Sequence, residues 1–95
     1  MLYVGVLDAK LYLHGCQSLK EKRRRLLKLK DKFGKLPTLA VCESGDQDHH
    51  NHAQWSFVAT STSRSNVEQV WSQVETYLRT QLDAELIGVD RSWLS

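Results

Sequence analysis

Residues 2–13 hold the pattern that most limits what this chain can become. One parity of the stretch, Tyr3, Leu7, Ala9, Leu11 and Leu13, is apolar throughout; the other begins apolar at Val4 and Val6, then turns to Asp8, Lys10 and Tyr12. Period-two alternation marks a strand. A strand apolar on both faces at one end and on one face at the other fits a central position in a sheet. His14-Gly15 breaks the pattern.

The rest of the chain has to supply neighbours and a covering layer for that strand. Ser18-Leu19-Lys20-Glu21 has the form of a capping box, in which the serine oxygen accepts from a backbone N–H and the glutamate reaches back. The helix that follows carries Leu19, Leu26, Leu27, Leu29 and Phe33 on one broad side and ends near Gly34, a residue suited to a left-handed cap. Pro37 prevents continuation, and residues 38–42 read as a short second strand. Residues 43–52 are polar and read as a loop. Alternation returns with Ala53, Trp55, Phe57 and Ala59 as the buried parity of a third strand. A second capping box, Ser65 to Glu68, precedes the stripe Val67, Val70, Trp71, Val74, Leu78 and Leu82, whose spacing is helical. Leu86 to Val89 forms a fourth strand, with Trp93 and Leu94 near the terminus.

The order β-α-β-β-α-β predicts an α+β fold of the ferredoxin-like type, a four-stranded antiparallel sheet with two helices on one face. With 95 residues, 41% of them apolar and 25% charged, the chain has ordinary globular composition for a single domain spanning 1–95. No stretch approaches the roughly 18 apolar residues of a membrane span. The opening residues have no basic leader before their apolar run, so they read as strand and not as a secretion signal. Cys16 and Cys42 form no CxxC pair, and the expectation is two reduced thiols in the cytoplasm.

Charge is distributed unevenly. Residues 20–35 hold nine basic residues against Glu21 and Asp31, a net +7 in a chain whose total is +2, so the remainder carries −5. At about 100° per residue, Lys20, Arg24, Arg25, Lys28 and Lys32 point outward, and Lys22, Arg23 and Lys30 fall at the border of the apolar stripe. A merely solvated face would mix signs, whereas Lys20/Arg24 and Arg24/Lys28 repel at i,i+4. An anionic partner offsets such repulsion, and RNA or a ribosomal particle is the leading expectation, with those five outward residues as the nucleic-acid contacts. The aromatics of strand three lie on the core parity, so the open sheet face lacks the stacking platform of an RRM-type reader. Its Val4, Val6, Val58 and Tyr12 form an apolar patch that points to a homodimer.

Asp46, Asp48, His49, His50 and His52 are weak metal-ligand candidates, because adjacent histidines rarely share one ion and no helix supplies them at i,i+4. A solvated loop is the simpler reading, and no metal or cofactor is expected. Glu43 continues the apolar parity of Leu39 and Val41, which favours a half-buried carboxylate paired with Lys22 or Arg23. With no nucleophile and no phosphate-cradling glycine motif, the chain reads as non-enzymatic. The alternative is a homo-oligomeric interaction or small-ligand regulatory module without nucleic-acid affinity.

The run Ser18-Leu19-Lys20-Glu21-Lys22-Arg23-Arg24 after a strand beginning Val4-Gly5-Val6-Leu7 resembles the signature of the YlxP-like family, small bacterial proteins of unknown function. Val41, Glu43, Gly45, Asp48, Ala53 and Val58 fall where that family has its Val-x-Glu-x-Gly-x-x-Asp…Ala segment. Where it has an aromatic residue and an arginine after Asp48, this chain has His50 and His52. The resemblance implies a ferredoxin-like fold, self-association, and a loose link to translation, since such proteins are often encoded beside initiation and ribosome-maturation factors. It implies no activity and no catalytic residues.

Overall fold

The computed structural model describes residues 1–95 and has the expected order: β1 (Tyr3–Tyr12), α1 (Leu19–Phe33), β2 (Leu39–Gly45), β3 (His52–Ser61), α2 (Arg64–Thr80) and β4 (Glu85–Trp93). The sheet runs β2-β3-β1-β4 with every pair antiparallel, which puts β1 and β3 in the centre and β2 and β4 at the edges. This is the ferredoxin-like layout. The odd residues of β1 and β3, from Leu7 to Leu13 and from Ala53 to Ala59, face a core completed by Leu26, Leu29 and Phe33 of α1 and by Val67, Trp71, Val74 and Leu78 of α2. Each large side chain so buried stabilises the fold by roughly 1.5–3 kcal/mol relative to exposure. Gly5 lets α2 approach β1: a methyl there would overlap the indole of Trp71 and lie 3.0 Å from Val67 Cγ1.

Several sequence expectations are corrected in detail. β2 continues through Gly45, because Glu43 and Gly45 pair with Trp55 and Gln54 of β3 despite their polarity, and the loop shrinks to residues 46–51. α2 begins at Arg64 behind Ser63, whose side chain makes no cap bond, so Ser65 lies inside the helix. Gly34 is right-handed (φ −72°) and its N–H continues the helical bonding to Lys30 O. β4 extends to Trp93, which packs against Tyr3 and Trp71. Leu27, counted on the apolar side, is 55% exposed. No helix is long and apolar enough to cross a membrane.

Candidate functional site

Ser18 opens α1 as expected: its backbone is extended and its Oγ accepts from Glu21 N–H at 3.1 Å. Only this half of the capping box forms, for the Glu21 carboxylate turns to Arg25 at 3.4 Å. One turn in, Lys22 points at the core and is the single buried charged residue, 3% exposed. Its ammonium donates to Asp46 O and His49 O, each at 2.8 Å, and forms an ion pair with Glu43 Oε2 at 2.9 Å. The Glu43 contact is short but poorly aligned, so that oxygen is neutralised by charge without a good hydrogen bond. Lys22 thereby clamps the β2–β3 turn, where Asp46 takes a left-handed φ of 58° and His49 N–H returns to Asp46 O at 3.1 Å. Of the two partners that the sequence allows for Glu43, Lys22 and Arg23, the structure selects Lys22. The turn's convergence on the same ammonium is not legible in the sequence, because it uses backbone carbonyls, which any residue supplies.

The remaining loop candidates disperse. Asp48, His49 and His50 are exposed. His52 lies in β3, its ring 5.1 Å from that of Tyr12 and its Nδ1 3.1 Å from Asn51 Oδ1. No three His, Cys, Asp or Glu side chains converge where a metal ion could sit.

The five cations read as outward-facing do not behave alike. Lys20, Arg24, Lys28 and Lys32 are exposed. Arg25 is not free: its side chain is 12% exposed, with Nε 3.1 Å from both Asp83 O and Asp83 Oδ2 and one terminal nitrogen 2.9 Å from His14 O. It ties α1 to the end of β1 and to the α2–β4 turn. The error has a plain origin, since Asp83 is 58 residues away in sequence. Conversely Arg23 and Lys30, assigned to the packing border with Lys22, are exposed. Lys32 rests 5.2 Å from the Tyr77 ring centroid. None of Lys20, Arg23, Arg24, Lys28, Lys30 or Lys32 has a carboxylate within 4.0 Å, whereas Arg64, Arg79 and Arg91 outside the helix all do.

Three depressions border this helix, one of them, of about 780 Å³, between Lys32 and Phe33 and the α2 residues Ser72, Thr76 and Tyr77. On the α2–β4 side, Arg24 and Lys28 border a polar cleft of about 510 Å³ together with His14, Gln81 and Asp83. On the β2 side, a groove of about 530 Å³ has Leu26, Val41 and Trp55 beneath and Arg23, Leu27 and Lys30 along its rim. Trp55 is 6% exposed and its Nε1–H has no acceptor.

The open face of the sheet is half apolar. Val6 pairs with Val58, and Ala40 lies opposite Val58 on the other side. Farther along, Ser56 bonds Asp8 and Ser44, making the centre polar. Tyr12 is met edge-on by His14 and His52, and no other aromatic residue of β1 or β3 lies on this face.

A family model described as "Protein of unknown function (DUF503)" matches residues 4–91. No curated protein matches the chain. The chain belongs to the DUF503 family.

Proposed function

We propose that this chain is a non-enzymatic RNA-binding protein, associated with ribosomal particles, that grips phosphates through the exposed cations of α1. The observation behind this is uncompensated charge: six exposed cations on one 15-residue helix have no carboxylate partner, and the carboxylates that do reach the helix pair with Lys22 and Arg25. Holding like charges at i,i+4 costs a few tenths of a kcal/mol per pair. Phosphates repay that by releasing condensed counterions on binding. Lys20, Arg24 and Lys28, successive at i,i+4, form a ridge that tracks a backbone without reading bases. The resemblance to YlxP-like proteins and their link to translation favours RNA over other polyanions.

The test is titration of a structured RNA at several salt concentrations. Binding is expected to weaken steeply with salt. The triple variant Lys20→Glu, Arg24→Glu, Lys28→Glu should flatten the log–log salt dependence by about 2–3, at ~0.7–0.9 per phosphate lost. Absence of binding at low salt, or indifference to the charge reversal, overturns the proposal. Salt-labile co-sedimentation with ribosomal particles tests the association itself.

A second reading, a homodimer without nucleic-acid affinity, has the contiguous Val4, Val6 and Val58 patch in its favour. Sedimentation at several concentrations separates the two: a salt-insensitive dimer lost in Val6→Glu supports it, and a monomer at all concentrations removes it.

A further inference from the structure

β2 is an edge strand, and its free side opens onto the α1 groove. The phase of the ladder is set where Thr60 N–H donates to Thr38 O at 3.0 Å. Ala40 and Cys42, two and four residues on, therefore exchange bonds with Val58 and Ser56, and Leu39, Val41 and Glu43 direct their N–H and C=O groups outward. Two of those groups are already satisfied from the outer side: Leu39 N–H by Leu36 O at 3.2 Å, and Glu43 O by Gln47 Nε2 at 3.2 Å. Leu39 O, both polar groups of Val41, and Glu43 N–H are left facing out. Val41, Cys42 and Glu43 all line the groove although their side chains alternate faces, as they can only if the strand's edge forms one wall.

Unpaired edges of this kind are usually blunted by lysine, proline, a bulge or a cover. The segment Leu39–Glu43 contains no lysine or proline, and the irregularity in its pairing comes only between Glu43 and Gly45. β4, the other edge, is interrupted within its length, opposite Lys10/Leu11. Above the β2 edge the floor is apolar (Leu26, Val41, Trp55), Leu27 stands exposed at the rim, and Arg23 and Lys30 flank it without carboxylate partners.

We propose that this groove binds an extended segment of another protein, whose side chains on one face run acidic, apolar, acidic at every second residue, and which adds to β2 as a fifth strand. The edge carbonyls and N–H groups bond the segment's backbone, and period two turns every second side chain toward α1, where the apolar one meets Leu26 and Trp55. The acidic side chains two residues to either side of it, on the same face of the added strand, meet Arg23 and Lys30. Charge complementarity selects this occupant, because a basic or neutral strand would leave both cations uncompensated. Arg23 and Lys30 lie off the Lys20, Arg24, Lys28 ridge, so this inference and the RNA reading are tested by separate substitutions.

The probe is a capped pentapeptide of sequence Glu-Thr-Ile-Thr-Glu, titrated into the isotopically labelled full chain, with a control carrying lysine in place of glutamate. Saturable shifts are expected at the Val41 and Glu43 amides and at the Trp55 indole N–H. Arg23→Glu with Lys30→Glu should weaken binding at least tenfold, Leu27→Asp likewise, and Arg24→Glu with Lys28→Glu should leave it unchanged. These residues are exposed, and the amide spectrum of each variant verifies its fold. No shifts at millimolar peptide, equal binding of the lysine control, or loss of binding in the Arg24/Lys28 variant each overturns the proposal. If dilution of the protein alone moves the same amides, the occupant is a second copy, and the proposal also fails.

Discussion

The Lys22 ammonium lies 2.9 Å from the Glu43 carboxylate at the point where α1 crosses over the end of β2, and the same nitrogen holds two carbonyls of the following turn. Removing the cation strands three acceptors together. Lys22→Met should therefore destabilise the protein by about 3 kcal/mol in urea unfolding, as loss of one partner from a buried pair does. Glu43→Gln, which leaves both carbonyl bonds in place, should cost about 1 kcal/mol. Equal losses from the two would mean that the carbonyl bonds contribute nothing.

Arg25 and Arg24 are sequence neighbours with opposite expected roles. Arg25→Ala releases the α2–β4 turn and should cost about 1–2 kcal/mol in stability through its lost hydrogen bonds, with RNA affinity at low salt little changed. Arg24→Ala touches no partner, so its stability should stay within about 0.5 kcal/mol of the parent while RNA affinity falls. Thermal melts and RNA titrations on both variants check the pair; the reverse assignment would remove Arg24 from the interface.

The histidine loop should not hold zinc. His49 and His50 project from a turn whose carbonyls are engaged with Lys22, and His52 is occupied with Tyr12 and Asn51. Calorimetry with zinc should show no saturable micromolar binding; a stoichiometric site there would contradict the geometry.

What could be read from the sequence follows how local each interaction is. The order of elements was legible because periods of 2 and 3.6 are written in neighbouring residues, and Glu43 was legible as half-buried beside Lys22 or Arg23 because it continues an apolar strand parity; only the structure chooses Lys22. The end of β2 was not, since Glu43 to Gly45 are strand only by virtue of β3 beside them. The α2 start was missed by two residues because Ser63 and Ser65 are both acceptable cap types, and Ser63 makes no side-chain cap bond to distinguish it. Arg25 failed because helical angle predicts which way a side chain points but not which distant element arrives there, and Leu27 because its apolar type outweighed the roughly 100° by which it turns from Leu26.

Gly5 is a packing requirement invisible to propensity. Gly5→Ala would drive a methyl into the Trp71 indole, itself 2% exposed and wedged against Trp93. Overpacking at such a site costs about 1–3 kcal/mol, against the small gain alanine brings to an unfolded chain. A lower urea midpoint with an unchanged slope is the expected result, and an unchanged midpoint would show that α2 can shift to make room.

The two thiols should report folding separately. Cys16 is 4% exposed, with its Sγ 3.4 Å from Ser18 O beside the start of α1, whereas Cys42 lies exposed on the edge strand. Alkylation of the native protein should modify Cys42 at the rate of an accessible thiol and leave Cys16 untouched. Cys16 can react only when the β1–α1 junction opens, so its rate should rise with added urea in step with that opening. Lys22→Met, which loosens the first turns of α1 against β2, should accelerate Cys16 and leave Cys42 as it was. Mass spectrometry over a time course reads both sites at once. If Cys16 reacts as fast as Cys42 in the parent protein, the junction is open in solution and the Lys22 clamp does not hold it.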